Sequence, residues 1–504
     1  MILRCGPNFS ASYTLIRYRV YISRKCLPLY SKSKGGYAPA DLSSLKHYYI
    51  GMKRASAAAA VISLSVIVIL LLLQFIGPIS LGPITLKRVA ILSDLFPPKE
   101  AADTVAVAQV EPVREQYNEY RPEGVTLIED FSRNAPGGMN HFYETLAALD
   151  TLGRPLRIAY YSDSFIEGDI LTADLRQLLQ EQYGGNGVGW LDCEAGTNAY
   201  RKTVRFSSAG FTGHVVTDKG FDASRQGISQ RWFQAAPGAR IHITGTDFRP
   251  NAAQWQRTYL YFRTGSQVRC SATVGNNPLP AASFTASPRV QAYSAIGQTD
   301  NIHINVEQAG PGTEFFGVSV ESPTGIIVDN FAVRGIPGFS LRSLPQQTLA
   351  DFAALRPYDL IVLHYGLNAF SSKAGAKSYR AYADRMKEAV DTLRKAYPSA
   401  SIMVVSISDR AQRTAAGIET LPNLESFVSY QRLYASECGV AFWNLFEAMG
   451  GRNTIPHWVE KGYAAKDYTH LSQEGGRVLA GQLVQALNAG AVNYSRKKQA
   501  GYIP

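Results

Sequence analysis

The chain has 504 residues, enough for two or three domains, and its 46% hydrophobic and 18% charged content is that of a globular protein. Its net charge of +11 is unevenly distributed, because ten Lys or Arg and a single acid, Asp41, precede Ala55. The rest of the chain has 41 basic and 39 acidic residues. The basic excess is therefore a short N-terminal tail, which argues against a nucleic-acid-binding protein.

A charge-free segment follows the tail. From Ala55 to Leu86 no residue is charged, and residues 57–76 are rich in Val, Ile and Leu. About 20 apolar residues span a bilayer as a helix, and basic residues before them favour a cytoplasmic N-terminus. We therefore predict a single-pass anchor at 55–76 in the inner (cytoplasmic) membrane, with the following residues in the periplasm. A cleaved signal peptide is the alternative, although its apolar region is usually only about 7–15 residues long.

Two further features of the N-terminal half leave alternatives open. Met52 and the basic pair after it resemble the start of a bacterial export signal, so residues 1–51 are either a genuine tail or an over-extended gene start. Cys193 and Cys270 could form a disulfide if their segments meet, since an exported protein permits oxidation. The Cys and His spacings fit no zinc site, and we predict neither a metal nor a cofactor.

Two kinds of pattern follow residue 150. Apolar strand-like runs alternate with helical periods at 151–189 and 326–490, which predicts an α/β domain with a parallel sheet covered on both faces. Residues 190–325 instead contain short β-forming runs separated by Gly, Pro and Asn, a pattern typical of an antiparallel sandwich. The predicted organisation is a basic tail (1–54), anchor (55–76), tether (77–150), first part of the α/β domain (151–189), inserted β-sandwich (190–325), second part of the α/β domain (326–490) and C-terminal tail (491–504).

The predicted elements of the α/β domain alternate along the chain. They are a helix at Asn140–Leu152, a strand at Leu156–Tyr161, a helix through Leu171 and Leu179, strands at Gly325–Asn330 and Asp359–Tyr365, a helix through Tyr382 and Leu393, strands at Ser401–Ile407 and Val440–Leu445, and a helix at Leu471–Leu487. The predicted strands of the insert are Gln230–Phe233, Ala239–Thr244, Thr258–Phe262, Ser271–Val274, Asn301–Val306 and Phe315–Val320.

Polar residues follow the strands of the predicted parallel sheet. Ser164 lies between the first strand and a helix, whose N-terminal amides would stabilise negative charge. Asp467 and His470 precede the last helix, and their spacing lets one turn present a carboxylate and an imidazole to the same pocket. Gly335 and Asn368 follow two other strands, where an amide could donate to an oxyanion. Taken singly, each of these residues is as well explained as a helix cap or an ordinary loop residue.

The order of these residues resembles the four sequence blocks of the SGNH (GDSL-like) hydrolases. The resemblance implies a three-layer α/β/α domain with Ser164 as nucleophile and Asp467 and His470 as the other triad members. It also implies an oxyanion hole formed by Gly335, Asn368 and the backbone of Ser164. Two positions depart from the pattern: Ser162 stands where the first block has Gly, and Ala369 stands where Asp often follows the Asn.

A β-sandwich between the Ser block and the Gly block resembles the peptidoglycan O-acetylesterases, whose SGNH domain is interrupted by a module similar to family-35 carbohydrate-binding modules. The resemblance implies an O-acetylated cell-envelope glycan as substrate, with peptidoglycan preferred. Aromatic residues of the insert would then either stack on sugar rings or belong to its core: Trp190, Trp232, Trp255 and Tyr261. The alternatives are an SGNH esterase for another acetylated polysaccharide or a lipid ester, and a non-catalytic glycan-binding protein.

Overall fold

The computed structural model describes residues 117–415 and 417–503, with the short segments 30–33, 36–39, 58, 60–66, 79–81 and 84–86. The chain divides into two compact units, Met1–Ala102 and Asp103–Pro504. In its described residues the first unit has two antiparallel hairpins, β1 (Tyr30–Ser33) with β2 (Gly36–Pro39) and β3 (Ile79–Leu81) with β4 (Ile84–Leu86). Most of the predicted tail and anchor lie outside the described segments. Within those segments, no helix is long and apolar enough to cross a membrane.

The second unit contains a longer series of strands. In chain order these are β5 (Glu129–Asp130), β6 (Leu156–Ser162), β7 (Gly189–Leu191), β8 (Val204–Val215), β9 (Arg231–Gly245), β10 (Trp255–Thr264), β11 (Val268–Val274), β12 (Asn277–Phe284), β13 (Ser287–Thr299), β14 (Asn301–Ala309), β15 (Thr313–Glu321), β16 (Ile326–Ala332), β17 (Leu360–His364), β18 (Ser401–Val405), β19 (Ala411–Thr414), β20 (Gly417–Thr420) and β21 (Ala441–Trp443).

A six-stranded sheet in the order β16-β6-β17-β18-β21-β5 forms the centre of the unit. Its first five strands are parallel, and β5 is antiparallel to β21. Every residue of β17 is buried, as its continuous apolar run predicts for a strand covered on both faces. The register places Ser162 beside both Ala332 and His364, so the carboxyl ends of β6, β16 and β17 meet at one edge.

Helices cover both faces of this sheet. Alternate residues of β6 point to opposite sides: Tyr161 belongs to one core, whereas Tyr160 belongs to the other. The helices in the core of Tyr161 are Gln346–Leu355, Ala376–Ala396 and Leu424–Cys438. The helices in the core of Tyr160 are Asn140–Ala147, Thr172–Tyr183, Leu445–Ala448, Thr454–Glu460 and Gln473–Gln499. This mixed α/β arrangement agrees with the fold class predicted for the domain.

Strands β7 to β15, which lie between β6 and β16 along the chain, form one antiparallel sheet. Neighbouring strands are hydrogen-bonded in the order β12-β11-β14-β9-β15-β10-β13. In addition, β7 pairs with β15 and β8 pairs with β9. Inward residues of β9, β10 and β11 share a core, including Ile241, Leu260 and Cys270. The hydrogen bonds nevertheless join all nine strands continuously. The two separate sheets of a sandwich, and the likeness to a carbohydrate-binding module, therefore stay predictions.

Several element boundaries differ from the predicted ones. The predicted strands at 230–233 and 239–244 are one strand, β9, which continues past Pro237 with Gly238 at φ +75°. The last helix ends at Gln499, so most of the predicted C-terminal tail is helical. The part of the predicted tether from residue 117 onward belongs to the fold of the second unit, because the indole of Trp443 donates to the carbonyl of Thr126.

Cys193 and Cys270, whose pairing the sequence left open, are free thiols buried in the core of the antiparallel sheet. Burial raises the pKa of both thiols, that of Cys270 to about 12. The aromatic side chains suggested as stacking surfaces are also buried, with exposed fractions of 5% or less: Trp190, Trp232, Trp255 and Tyr261. These rings therefore fill the core instead of contacting a ligand.

Candidate active site

Three loops meet at the carboxyl edge of the parallel sheet. They follow β6, β16 and β17 and carry Ser164, Gly335 and Asn368, respectively. Open α/β sheets bind ligands at this edge, because the loops beyond the strand ends are free to vary in shape. The turn from Asp467 to His470, hereafter the D-x-x-H turn, precedes the helix Gln473–Gln499. It brings Asp467 and His470 to Ser164 at the same edge of the sheet.

Ser164 begins a short 3₁₀ turn, Ser164–Asp169, instead of the α-helix that we predicted. Glu167 and the left-handed Gly168 (φ +68°) interrupt the turn, and the α-helix begins only at Thr172. The carboxylate of Asp163 accepts the backbone N–H of Phe165 at 3.0 Å and so caps the turn. The amides nearest to Ser164 therefore belong to a tight local turn, and a full helix dipole does not act there.

The three predicted triad residues form a continuous chain of contacts. The Oγ of Ser164 lies 3.1 Å from the Nε2 of His470, and the Nδ1 of His470 lies 2.7 Å from the Oδ2 of Asp467. An alcohol bonded to an imidazole, which is oriented by a carboxylate, is the arrangement that activates a serine for nucleophilic attack.

The turn itself fixes Asp467. Its Oδ1 accepts the backbone N–H groups of Thr469 and His470, both at 3.0 Å. Burial would raise the pKa of Asp467, but the hydrogen bonds from His470 and Thr469 outweigh burial and lower it. The carboxylate is thus held in its charged form.

The predicted oxyanion donors lie in adjacent loops. The amide of Asn368 donates to the Oδ2 of Asp163 at 3.0 Å and to the carbonyl of Ile336 at 3.3 Å. Ile336 directly follows Gly335, so the side chain of Asn368 connects the loop of Gly335 with the loop of Ser164. Gly335 has φ +80°, which favours glycine, and no heavy atom lies within 4 Å of the position of a Cβ there.

Two charged residues at the site were not predicted. Asp163 was considered only as a cap, yet its buried carboxylate also orients Asn368. Burial raises its pKa to about 6, against the opposing effect of its hydrogen bonds. Its position directly before Ser164 was the one sequence feature that could have identified it.

Arg410 is the second unpredicted residue. Its Nη1 donates to the carbonyl of Leu367 at 3.0 Å, and its charge acts on Asp163 and Asp467. The next residue, Ala411, donates its N–H to the carbonyl of Tyr468 at 3.2 Å. Arg410 therefore lies between the Asn368 loop and the D-x-x-H turn. Its place in the loop beyond β18, at the same sheet edge, was the available sequence indication.

Comparison with known proteins supports this architecture. A solved structure of a peptidoglycan O-acetylesterase is 21% identical, with a TM-score of 0.59, and the match covers 72% of this chain and 99% of that chain. At this identity the likeness shows a shared fold.

Other matches are weaker. A family two carbohydrate esterase from Clostridium thermocellum is 14% identical, and the match covers 58% of this chain and 99% of that chain. Its TM-score of 0.24 is too low to show a shared fold. No curated protein matches the sequence significantly.

Residues 283–478 match the model of the GDSL-like lipase/acylhydrolase family. This span contains Gly335, Asn368, Asp467 and His470, whereas Ser164 precedes it because the antiparallel strands are inserted between the two parts of the parallel sheet. Residues 283–478 thus resemble the GDSL-like lipase/acylhydrolase family, and this match together with the shared fold supports a carboxylic-ester hydrolase.

Proposed function

We propose that this hydrolase removes O-acetyl groups from a cell-envelope glycan, preferably peptidoglycan, through an acyl-enzyme on Ser164. The observation that carries the proposal is the contact chain from Ser164 through His470 to Asp467. The solved structure that shares the fold is that of a peptidoglycan O-acetylesterase, and this likeness favours an acetylated glycan as substrate.

The proposed reaction has two steps. Ser164 attacks the ester carbonyl while His470 accepts its proton, and Asp467 stabilises the resulting imidazolium. The backbone amides of Ser164 and Gly335 and the side chain of Asn368 stabilise the oxyanion. His470 returns the proton to the departing sugar hydroxyl. A water molecule, deprotonated by His470, then attacks the acyl-enzyme; as the bond to the Ser164 oxygen breaks, His470 returns the proton to that oxygen and acetate is released.

The proposed location is the periplasmic side of the inner membrane, with the segment 55–76 as the anchor. The support is the charge-free apolar run after a basic tail. Fractionation of cells producing a tagged full-length chain tests this: the protein should remain with the membrane after a carbonate wash. Release into the soluble periplasmic fraction would support a cleaved signal peptide instead.

The nucleophile is tested with Ser164→Ala and an aryl acetate. Removal of the hydroxyl should lower kcat by at least about 10⁴-fold, because the acyl-enzyme can no longer form. Ser429→Ala is the control, since the Ser429 hydroxyl is exposed and bonds its own helix. Circular dichroism should show both variants folded. Turnover by Ser164→Ala at the wild-type rate would exclude this nucleophile.

The substrate is tested by measuring acetate released from O-acetylated peptidoglycan, from acetylated xylan and from aryl esters of increasing acyl length. Peptidoglycan should be the best polymer, and activity should fall beyond the acetyl ester. Preference for xylan would point to another polysaccharide, and rising activity with acyl length would point to a lipid ester.

A further inference from the structure

The segment that leads into β8 of the antiparallel sheet has an exposed aromatic side chain beside the Ser164–Asp169 turn. Tyr200 lies just before β8 and is 70% exposed, unlike the buried tryptophans of the same sheet. A Cβ placed on Gly168 would lie 3.2 Å from the Tyr200 carbonyl oxygen and 3.4 Å from its Cβ. Gly168 belongs to the turn that Ser164 begins, so Tyr200 abuts that turn directly.

The residues around Tyr200 hold it rigidly. The guanidinium of Arg201 donates to the Oδ2 of Asp169 at 3.2 Å and to the carbonyl of Trp190 at 2.7 Å. The hydroxyl of Thr203 donates to the same Asp169 oxygen at 2.8 Å. Asp169 is the last residue of the Ser164 turn. The backbone that carries Tyr200 is therefore fixed to the Ser164–Asp169 turn by buried, charge-assisted bonds.

An ion pair lies next to Tyr200. Arg334, which precedes Gly335, forms a two-bond pair with Glu167 of the Ser164 turn, and its Nε lies 3.2 Å from the Glu167 Oε1. Its side chain is 71% exposed and lies within electrostatic range of Tyr200. The pair offers donors and acceptors between the two loops that carry the nucleophile and the oxyanion donor.

The same ion pair lines a cavity of about 320 Å³. Residues of the antiparallel sheet also line it, among them His214 and Phe233. This volume lies at the lower end of small-molecule sites, which are about 300–1,000 Å³. The cavity therefore lies between the antiparallel sheet and the Glu167 and Arg334 parts of the loops that carry Ser164 and Gly335.

We infer that Tyr200 and the Glu167–Arg334 pair form a subsite for the sugar ring next to the ester-bearing residue of the substrate. The ring of Tyr200 stacks on the apolar face of the sugar, and the ion pair binds its hydroxyl groups. This inference rests on the proposed function. It gives the antiparallel sheet a role in choosing the substrate through one exposed tyrosine, although the tryptophans of that sheet are buried.

The test compares Tyr200→Ala with Tyr200→Phe on two substrates. Tyr200→Ala should lower kcat/KM for acetate release from O-acetylated peptidoglycan by about tenfold, mainly through KM, because one apolar contact face is lost. Its hydrolysis of an aryl acetate should be unchanged. Tyr200→Phe retains the ring and should restore the rate on peptidoglycan. Ile296→Ala is the control, since Ile296 is 64% exposed on β13 of the same sheet.

Equal peptidoglycan activity in Tyr200→Ala and the wild type would overturn the inference. A similar loss on both substrates would also overturn it, by showing a structural effect. If the wild type cleaves the aryl acetate but not peptidoglycan, the proposed substrate fails, and the subsite is then tested by inhibition of aryl acetate hydrolysis with the tetramer of N-acetylglucosamine. Weaker inhibition of Tyr200→Ala would support the subsite, and no inhibition of the wild type would overturn it.

Discussion

At the scale of single residues, the chemistry depends on how one turn positions a carboxylate. Asp467 uses one oxygen to hold the turn and the other to bond His470. The geometry of the turn and the tautomer of the imidazole are therefore coupled. Two residues three positions apart suffice for this part of the site, which explains why its pattern could be recognised in the sequence.

Asp467→Asn tests the role of the charge. The variant keeps the shape of the side chain but presents an amide N–H to His470, which favours the wrong tautomer. We expect kcat for an aryl acetate to fall by about 10⁴-fold at neutral pH. The control is Asp150→Asn, because Asp150 is exposed and lies far from Asp467 in the sequence; this change should have no effect on kcat. A loss of less than about tenfold would contradict the role of Asp467.

Asp163→Asn tests the buried carboxylate. Its pKa is raised from 3.8 to about 6 in the folded protein. The stability contributed by its protonated form is therefore complete below about pH 4 and is lost as the pH rises through about 6, by about 3 kcal/mol in all. The Asn variant stays neutral and lacks this loss. Urea unfolding at pH 4 and pH 7 should show the wild type losing about 3 kcal/mol relative to the variant. A difference that does not change with pH would contradict the raised pKa.

At the scale of elements, the site depends on loops that come from distant strands. The Asn368 loop and the D-x-x-H turn are joined through Arg410 and the N–H of Ala411. Asn368 in turn joins Asp163 to the Gly335 loop. These cross-loop bonds fix the relative positions of the loops that carry Ser164, Gly335, Asn368 and His470.

Arg410→Ala tests this connection. Loss of the bond to Leu367 lets the Asn368 loop move relative to His470, and small displacements of catalytic groups cost about 10²-fold in rate. We expect kcat for an aryl acetate to fall by about that factor while KM changes little, because Arg410 positions the loop and the substrate remains bound. Arg410→Lys should recover part of the rate. Arg413→Ala, an exposed change in β19, is the control. An unchanged kcat in Arg410→Ala would show that the loops hold their positions without it.

At the scale of the whole second unit, a buried ionic network joins the two sheets. The guanidinium of Arg356 binds Glu321 of β15 at 2.6 Å and Asp329 of β16 at 2.7 Å. Arg157 of β6 binds the same Glu321 at 2.6 Å. Burial alone would raise the pKa of Glu321, but the two guanidinium groups outweigh it and lower that pKa to about 2. The antiparallel sheet is therefore connected to the parallel sheet through charges that solvent does not screen.

Arg356→Met tests the network. The change leaves two buried carboxylates without their shared partner, which costs about 3–5 kcal/mol of stability. The midpoint of urea unfolding should fall accordingly. The matched control, Arg269→Met, removes an exposed pair with Glu307 that solvent screens, and should leave the midpoint close to that of the wild type. Similar midpoints for the two variants would contradict a stabilising role for the buried network.

Local patterns predicted much of the fold. The apolar run of β17 was recognised because a strand buried on both faces needs no polar residues. The strands β8, β12 and β13 were missed, since Gly, Ser and Pro interrupt their alternation. Pro237 and Gly238 led to the prediction of two strands where β9 is one. Residues of β9 on both sides of this pair are nevertheless hydrogen-bonded to β8.

The sequence by itself determined the order of the polar residues after successive strands, because spacing along the chain controls which side chains a strand end or a turn can present. Only the tertiary structure decided which of them meet: Ser164 and His470 are separated by 306 positions, yet their side chains are in hydrogen-bond contact. Tertiary packing also decided that the tryptophans of the antiparallel sheet are buried while Tyr200 is exposed. Exposure and long-range contact depend on which surfaces pack together, and residue spacing alone does not encode that packing.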